Sequence, residues 1–107
     1  MIKLAIVDDK YQNRQSLSEK IVYSNEVEIV FSAVNGKDFL DKMKSADNKQ
    51  QPEIVLMDIE MPEMDGIQAV YKGRILYPNV KFIMLTVFDD DDKLFEAIKA
   101  GASGYFL

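Results

Sequence analysis

Residues 53–67 read EIVLMDIEMPEMDGI. The apolar run from Ile54 to Met57 has the length of a strand, and it is apolar on both alternating faces, as in a parallel sheet covered on both sides. It stops on an acid, Asp58. Pro62 and the Asp65-Gly66 pair follow within eight residues, which is the chemistry of a turn, and a helical pattern begins at Gly66. Strand, acidic loop and helix in this order make one half of a βαβ unit, with a carboxylate at the strand's carboxyl end.

The same unit recurs along the chain. KLAIV (3–7), EIVFSAV (28–34), EIVLM (53–57), VKFIML (80–85) and GYFL (104–107) are predicted strands, with segments long enough for crossover helices between the first four and before the last. The first helix, 11–23, is weakly patterned, with Leu17 and Ile21 its clearest inward positions. Asn35 is placed to cap the second helix, with Asp38 in its first turn and Phe39, Leu40 and Met43 as an inward stripe. Asp65 caps the third helix, which Tyr77-Pro78 closes. In the fourth, Leu94, Ala97, Ile98 and Gly101 share a face. SADNKQQP (45–52) is a polar connector within one domain. The fold expected is α/β: a doubly wound five-stranded parallel sheet of order 2-1-3-4-5, a flavodoxin-like three-layer sandwich. Such sheets bind ligands beyond the carboxyl ends of the strands, where the winding reverses, here between the first and third strands.

Composition narrows the chemistry. The chain has 107 residues, 48% hydrophobic and 29% charged, which suits one globular domain. Its net charge is −5, from 18 acids against 13 bases, with no basic cluster to track phosphates, so direct nucleic-acid binding by this domain is not expected. There is no cysteine and no histidine, which removes thiol and serine-histidine catalysis and the usual zinc sites. No apolar run approaches the roughly 20 residues of a membrane helix, and MIKLAIVDD turns acidic too early for a signal peptide, so a cytoplasmic location without membrane contact is expected.

The carboxyl ends of the strands carry the polar residues that matter. The first strand ends in Asp8-Asp9, the third in Asp58 and the fourth in Thr86. Gathered in one crevice, the acids repel and raise each other's pKa unless a cation sits among them. Hard carboxylate oxygens without His or Cys favour Mg²⁺, or Mn²⁺, with open positions for a phosphoryl group. Asp58 is then the candidate nucleophile, attacking phosphorus to give an acyl phosphate. Asp9, and Asp8 through water, hold the metal, the Glu60 backbone carbonyl supplies a further ligand, and Thr86 hydrogen-bonds a phosphoryl oxygen.

IVDD (6–9), VLMDIEMPEMDG (55–66), LTVFDDDD (85–92) and AGASGYFL (100–107), in this order, resemble the receiver domain of bacterial two-component response regulators. The likeness runs from residue 3 to 107, and D-x-x-M-P-x-M-D-G joined to an upstream Asp-Asp pair is its most specific part. The last two pieces resemble receivers that precede a LuxR/NarL-type helix-turn-helix domain. The resemblance implies that Asp58 accepts a phosphoryl group from the phosphohistidine of a sensor histidine kinase. It also implies that Asp9, Asp58 and the Glu60 carbonyl bind Mg²⁺, that Thr86 is the switch hydroxyl and that Tyr105 is the switch aromatic. Partners implied are that kinase, a second copy in a homodimer, and DNA only through an output domain outside this chain. The role implied is that of a regulator, which catalyses at most its own phosphorylation and dephosphorylation.

Two features depart from the pattern. Receivers carry a lysine that pairs with the phosphoryl group, expected one residue past Leu107, and a fifth helix expected after it is also missing, so residues 1–107 read as a receiver truncated before its last helix. Val87, just after the switch hydroxyl, is bulkier than usual and crowds that position. Plainer readings stand beside the sharp ones. Asp8-Asp9 alone would cap the first helix, Thr86 alone ends a strand, Tyr105 alone is a core residue, and Asp89 to Asp92 complement a helix dipole. Met61 and Met64 pack the loop down around Pro62, and Gly66 opens the turn into the helix. Lys10 stands close enough to the acids to partner them, although as a residue type it reads as a solvated lysine. The rival functions are a receiver-like interaction module that is not phosphorylated, a metal-dependent aspartyl-phosphate hydrolase, and a flavin-binding module. A hydrolase loop reads D-x-D-x-[TV] where this chain has DDKYQ, and an acidic first loop repels a flavin's phosphate.

Overall fold

The computed structural model describes residues 1–23, 25–47, 49–85 and 104–106. Its elements are β1 (Ile2–Val7), α1 (Tyr11–Val22), β2 (Val27–Ala33), α2 (Gly36–Ser45), β3 (Ile54–Asp58), α3 (Gly66–Leu76), β4 (Lys81–Leu85) and β5 (Gly104–Phe106). The five strands form one parallel sheet in the order β2-β1-β3-β4-β5, as expected from the repeated βαβ pattern. Residues 86–103, with Thr86, Val87, the acids 89–92 and the expected fourth helix, lie outside the described residues. Tyr105 is placed in β5 opposite Met84, and its side chain lies outside them too.

Alternation within each strand divides the core into two layers. Ala5, Val7, Ala33, Val55, Met57, Phe82 and Met84 share a buried cluster with Phe39 and Met43 of α2 and Ala69 and Val70 of α3. Leu4 and Ile6, the intervening residues of β1, are also buried, so β1 is covered on both faces. Right-handed crossovers in this strand order put α1 on one face and α2 and α3 on the other. Phe39 is the hub of the second layer: its ring meets Phe82 edge-on at 5.9 Å and lies 6.3 Å from Phe31. A Cβ at Gly73 would stand 2.7 Å from the Phe82 ring, so the absence of a side chain there lets α3 lie directly on β4.

The helix punctuation behaves as read. The Asn35 side chain accepts from the Asp38 N–H at 2.8 Å, while Asp38 Oδ2 accepts from the Val34 N–H at 3.0 Å, a reciprocal cap. Asp65 Oδ1 accepts from the Gln68 N–H at 2.9 Å, and the Tyr77 N–H donates to the Gly73 carbonyl at 2.7 Å to close α3. Two details differ from expectation. Leu17 and Ile21 are only half-buried and α1 buries no residue fully, because α1 rests on β2, the edge of the sheet, where cover is one-sided. The third strand runs one residue further than its apolar run, since Asp58 pairs with Leu85 in the ladder.

Candidate functional site

Parallel register assembles the site. β1 pairs with β3 so that Val7 stands opposite Met57, which brings the residues after them, Asp8 and Asp58, side by side. β4 ends at Leu85, opposite Asp58. Residues 50 positions apart in sequence therefore meet at one edge. One carboxylate oxygen from each of Asp8, Asp9 and Asp58 lies within 4.8 Å of the other two.

The three acids are held differently. Asp8 is almost fully buried, at 4% exposure, and every part of it is engaged. Its N–H donates to the Ala33 carbonyl at 3.1 Å, continuing the ladder with β2. Oδ1 accepts from the Lys10 N–H at 2.9 Å, Oδ2 from the Asn13 side-chain amide at 3.3 Å, and its carbonyl from the Arg14 guanidinium at 2.7 Å. Arg14 in turn stands 5.7 Å over the Tyr11 ring. Asp9 is half-buried, and its Oδ1 is buried with no hydrogen-bond partner among the described residues. The Lys10 ammonium lies 3.9 Å from that oxygen, within reach of Coulomb attraction and beyond a hydrogen bond.

Asp58 carries the electrostatic consequence. Its carboxyl is pushed up from 3.8 to about 7, first by burial and then by the charge of Asp8, with Asp9 adding to the effect; Lys10 and a hydrogen bond from the Ile59 backbone oppose it. A carboxylate at such a point is poised for a cation, which would offset the burial and the repulsion that together hold its proton on. The donor set fits a hard divalent ion: three carboxylates, a buried Asp9 oxygen with no hydrogen-bond partner among the described residues, and no histidine or cysteine in the sequence.

The loop after Asp58 is tightly fixed. The Gly66 N–H donates to the Ile59 carbonyl at 2.7 Å, and a Cβ at Gly66 would collide with the Asp58 carbonyl oxygen. Gly66 thus does more than open a turn; it lets α3 start against the backbone of Asp58. Glu63, at φ 66°, takes the left-handed bend between Pro62 and Met64. The Met64 carbonyl accepts from the Gly36 N–H at 3.1 Å, tying the loop to the start of α2, and Met61 and Met64 pack on the core as expected. Glu60 is exposed on this loop, two residues past Asp58.

Of the residues singled out in the sequence, Asp8, Asp9 and Asp58 are brought together. Thr86 lies outside the described residues, and Tyr105 is described only by its backbone. Asn13 and Arg14 were not anticipated. They lie five and six positions after Asp8, and the weak apolar pattern of α1 hid the fact that its first turn faces the acids rather than the core.

The family model described as "Response regulator receiver domain" matches residues 4–107. The transcriptional regulatory protein LnrK of Bacillus subtilis (strain 168) is 37% identical over 107 residues, covering 100% of this chain and 47% of LnrK. The oxygen regulatory protein NreC of Staphylococcus aureus (strain JH9) is 34% identical, covering 99% of this chain and 48% of NreC. The chain thus spans about half the length of these curated relatives. Among solved structures, the response regulator domain of Thermotoga maritima CheB superposes with a TM-score of 0.87 at 26% identity, over 99% of this chain and 77% of that one. The CheX-CheY-BeF₃-Mg²⁺ complex of Borrelia burgdorferi gives 0.86 at 25% identity, over 99% and 77%. With the fold, the strand order and the acidic end of the sheet agreeing, the chain belongs to the response regulator receiver domain family.

Proposed function

We propose that this chain is the phosphoacceptor switch of a two-component pathway, with Asp58 taking a phosphoryl group from the phosphohistidine of a sensor kinase. The observation that carries the proposal is the convergence of carboxylate oxygens of Asp8, Asp9 and Asp58 within 4.8 Å, with a buried Asp9 oxygen that has no hydrogen-bond partner among the described residues. A carboxylate oxygen of Asp58 attacks phosphorus and forms an acyl phosphate, while the P–N bond of the donor breaks and its electron pair stays on the departing imidazole. Bound Mg²⁺, or Mn²⁺, supplies neutralisation of the charge that the three acids and the phosphoryl oxygens share. Asp9 and Asp58, with Asp8 through water and the Glu60 carbonyl, are the residues that would hold it. The rigid hydrogen bonding of Asp8 and the packed 59–66 loop keep Asp58 aimed at the incoming phosphorus.

In the same proposal Thr86 hydrogen-bonds a phosphoryl oxygen and Tyr105 moves inward behind it, altering the surface that a second copy or an output domain reads. LnrK is named a transcriptional regulatory protein, which supports an output in transcription; in this proposal that output acts in the cytoplasm through a DNA-binding domain outside this chain. No helix among the described residues is long and apolar enough to cross a membrane. The test is incubation of the full-length protein with acetyl phosphate and Mg²⁺, followed by intact mass measurement. One added phosphoryl group, lost in Asp58→Asn and in the presence of EDTA, is expected. No gain of mass, or a gain that persists in Asp58→Asn, refutes the proposal and leaves an interaction module that is not phosphorylated.

A further inference from the structure

Two of the three acids differ sharply in what already satisfies them. Both carboxylate oxygens of Asp8 accept hydrogen bonds from N–H groups, so Asp8 is fixed and its charge is partly dispersed. Asp9 Oδ1 accepts none among the described residues, and what faces it is the ammonium of Lys10 at 3.9 Å. Lys10 has two distinct attachments. Its backbone N–H is bound to Asp8 Oδ1, which anchors the residue at the mouth of the cluster, whereas its side chain is 63% exposed on a flexible stem. Arg14, in the first turn of α1, is directed to the Asp8 carbonyl and the Tyr11 ring. Among the described residues, Lys10 is the cation within ion-pair distance of a carboxylate in the trio.

We propose that Lys10 is a tethered counter-cation that competes with the divalent ion for the Asp9 carboxylate, and so sets how tightly the site holds that ion. This rests on the reading above that the three acids hold a metal. An ammonium and a divalent cation held at one carboxylate repel each other, so metal entry drives the Lys10 side chain toward solvent. Its attraction to Asp9 is then lost, and its repulsion of the bound ion remains. The exposed stem makes the movement cheap, and the anchored backbone keeps the charge close. The sign is the informative part: a residue that supports metal binding weakens it when removed, whereas a competitor strengthens it.

Magnesium is titrated calorimetrically into the full-length protein and into its Lys10→Gln and Lys10→Arg forms, at low and high KCl. Lys10→Gln is expected to bind Mg²⁺ about three- to ten-fold more tightly at low salt, a gain that KCl erodes, and Lys10→Arg to stay within about two-fold of the unmodified protein. The rise in Tm on adding Mg²⁺ is likewise larger for Lys10→Gln. The backbone N–H bound to Asp8 survives both substitutions, so folding is preserved. Equal or weaker Mg²⁺ affinity in Lys10→Gln, with the unmodified protein binding Mg²⁺ and phosphorylating at Asp58, overturns this inference alone. Absence of Mg²⁺ binding in all three proteins overturns it together with the metal-holding role of the acids.

Discussion

Asp58 is where burial and charge act most directly on a single group. Because its folded pKa of about 7 stands above the ordinary 3.8, the native state keeps a proton that the unfolded chain releases. Its contribution is therefore fully present below about pH 4 and is lost as pH rises through about 7. In EDTA, urea unfolding of the unmodified chain should show this loss between pH 4 and 8, superposed on the other carboxylates. In Asp58→Asn that component should vanish, leaving the variant more stable at pH 8 by about 1–3 kcal/mol, after allowance for the solvent that reaches a half-buried group. Mg²⁺ should reverse the penalty, since the ion prefers the charged form. At ten times its Kd it should add about 1.4 kcal/mol, more at pH 8 than at pH 5, and Asp9→Asn should abolish the gain. Thermal unfolding at the two pH values with and without Mg²⁺ checks both statements.

At the scale of elements, the loop from Ile59 to Asp65 and the helix starts at Asn35 and Asp65 hold the acidic end of the sheet in place. Asn35→Ala and Asp65→Ala each remove a capping acceptor, at a cost of about 1 kcal/mol by urea unfolding. Gly66→Ala is a different kind of change. Its Cβ has no room against the Asp58 carbonyl, so α3 or the end of β3 must shift. The expected result is a loss of about 2–4 kcal/mol together with weaker Mg²⁺ binding, whereas Asp65→Ala lowers stability with little effect on the metal. Comparing the two variants by calorimetry separates a helix cap from a residue that places the nucleophile. The distinction follows from direction: Asp65 faces its own helix, and Gly66 faces the strand behind it.

For the whole molecule, the apolar layer around Phe39 and the acidic edge are built from the same strands but do different work. Phe39→Ala should cost about 3–5 kcal/mol, because the ring is fully buried between Phe31 and Phe82, and it leaves Asp8, Asp9 and Asp58 with their own partners. Below its lowered Tm, that variant should still bind Mg²⁺ with an affinity close to that of the unmodified chain. Much of this organisation is written locally. The both-face apolar runs at 3–7 and 53–57 determine buried parallel strands, Asn35 and Asp65 determine where two helices begin, and the acids at strand ends determine which edge is polar, since each of these depends on neighbours a few residues away. Other features belong to the tertiary structure alone. Only the β1–β3 register sets Asp8 beside Asp58, and only the burial and the neighbouring charges that follow raise the Asp58 pKa. Only the docking of α1 turns Asn13 and Arg14 toward Asp8 while leaving Leu17 and Ile21 half-exposed, and only the packing of α3 on β3 makes Gly66 indispensable. The physical reason is common to all four: desolvation, charge repulsion and steric exclusion act between groups close in space, and the chain brings those groups together only when the sheet closes.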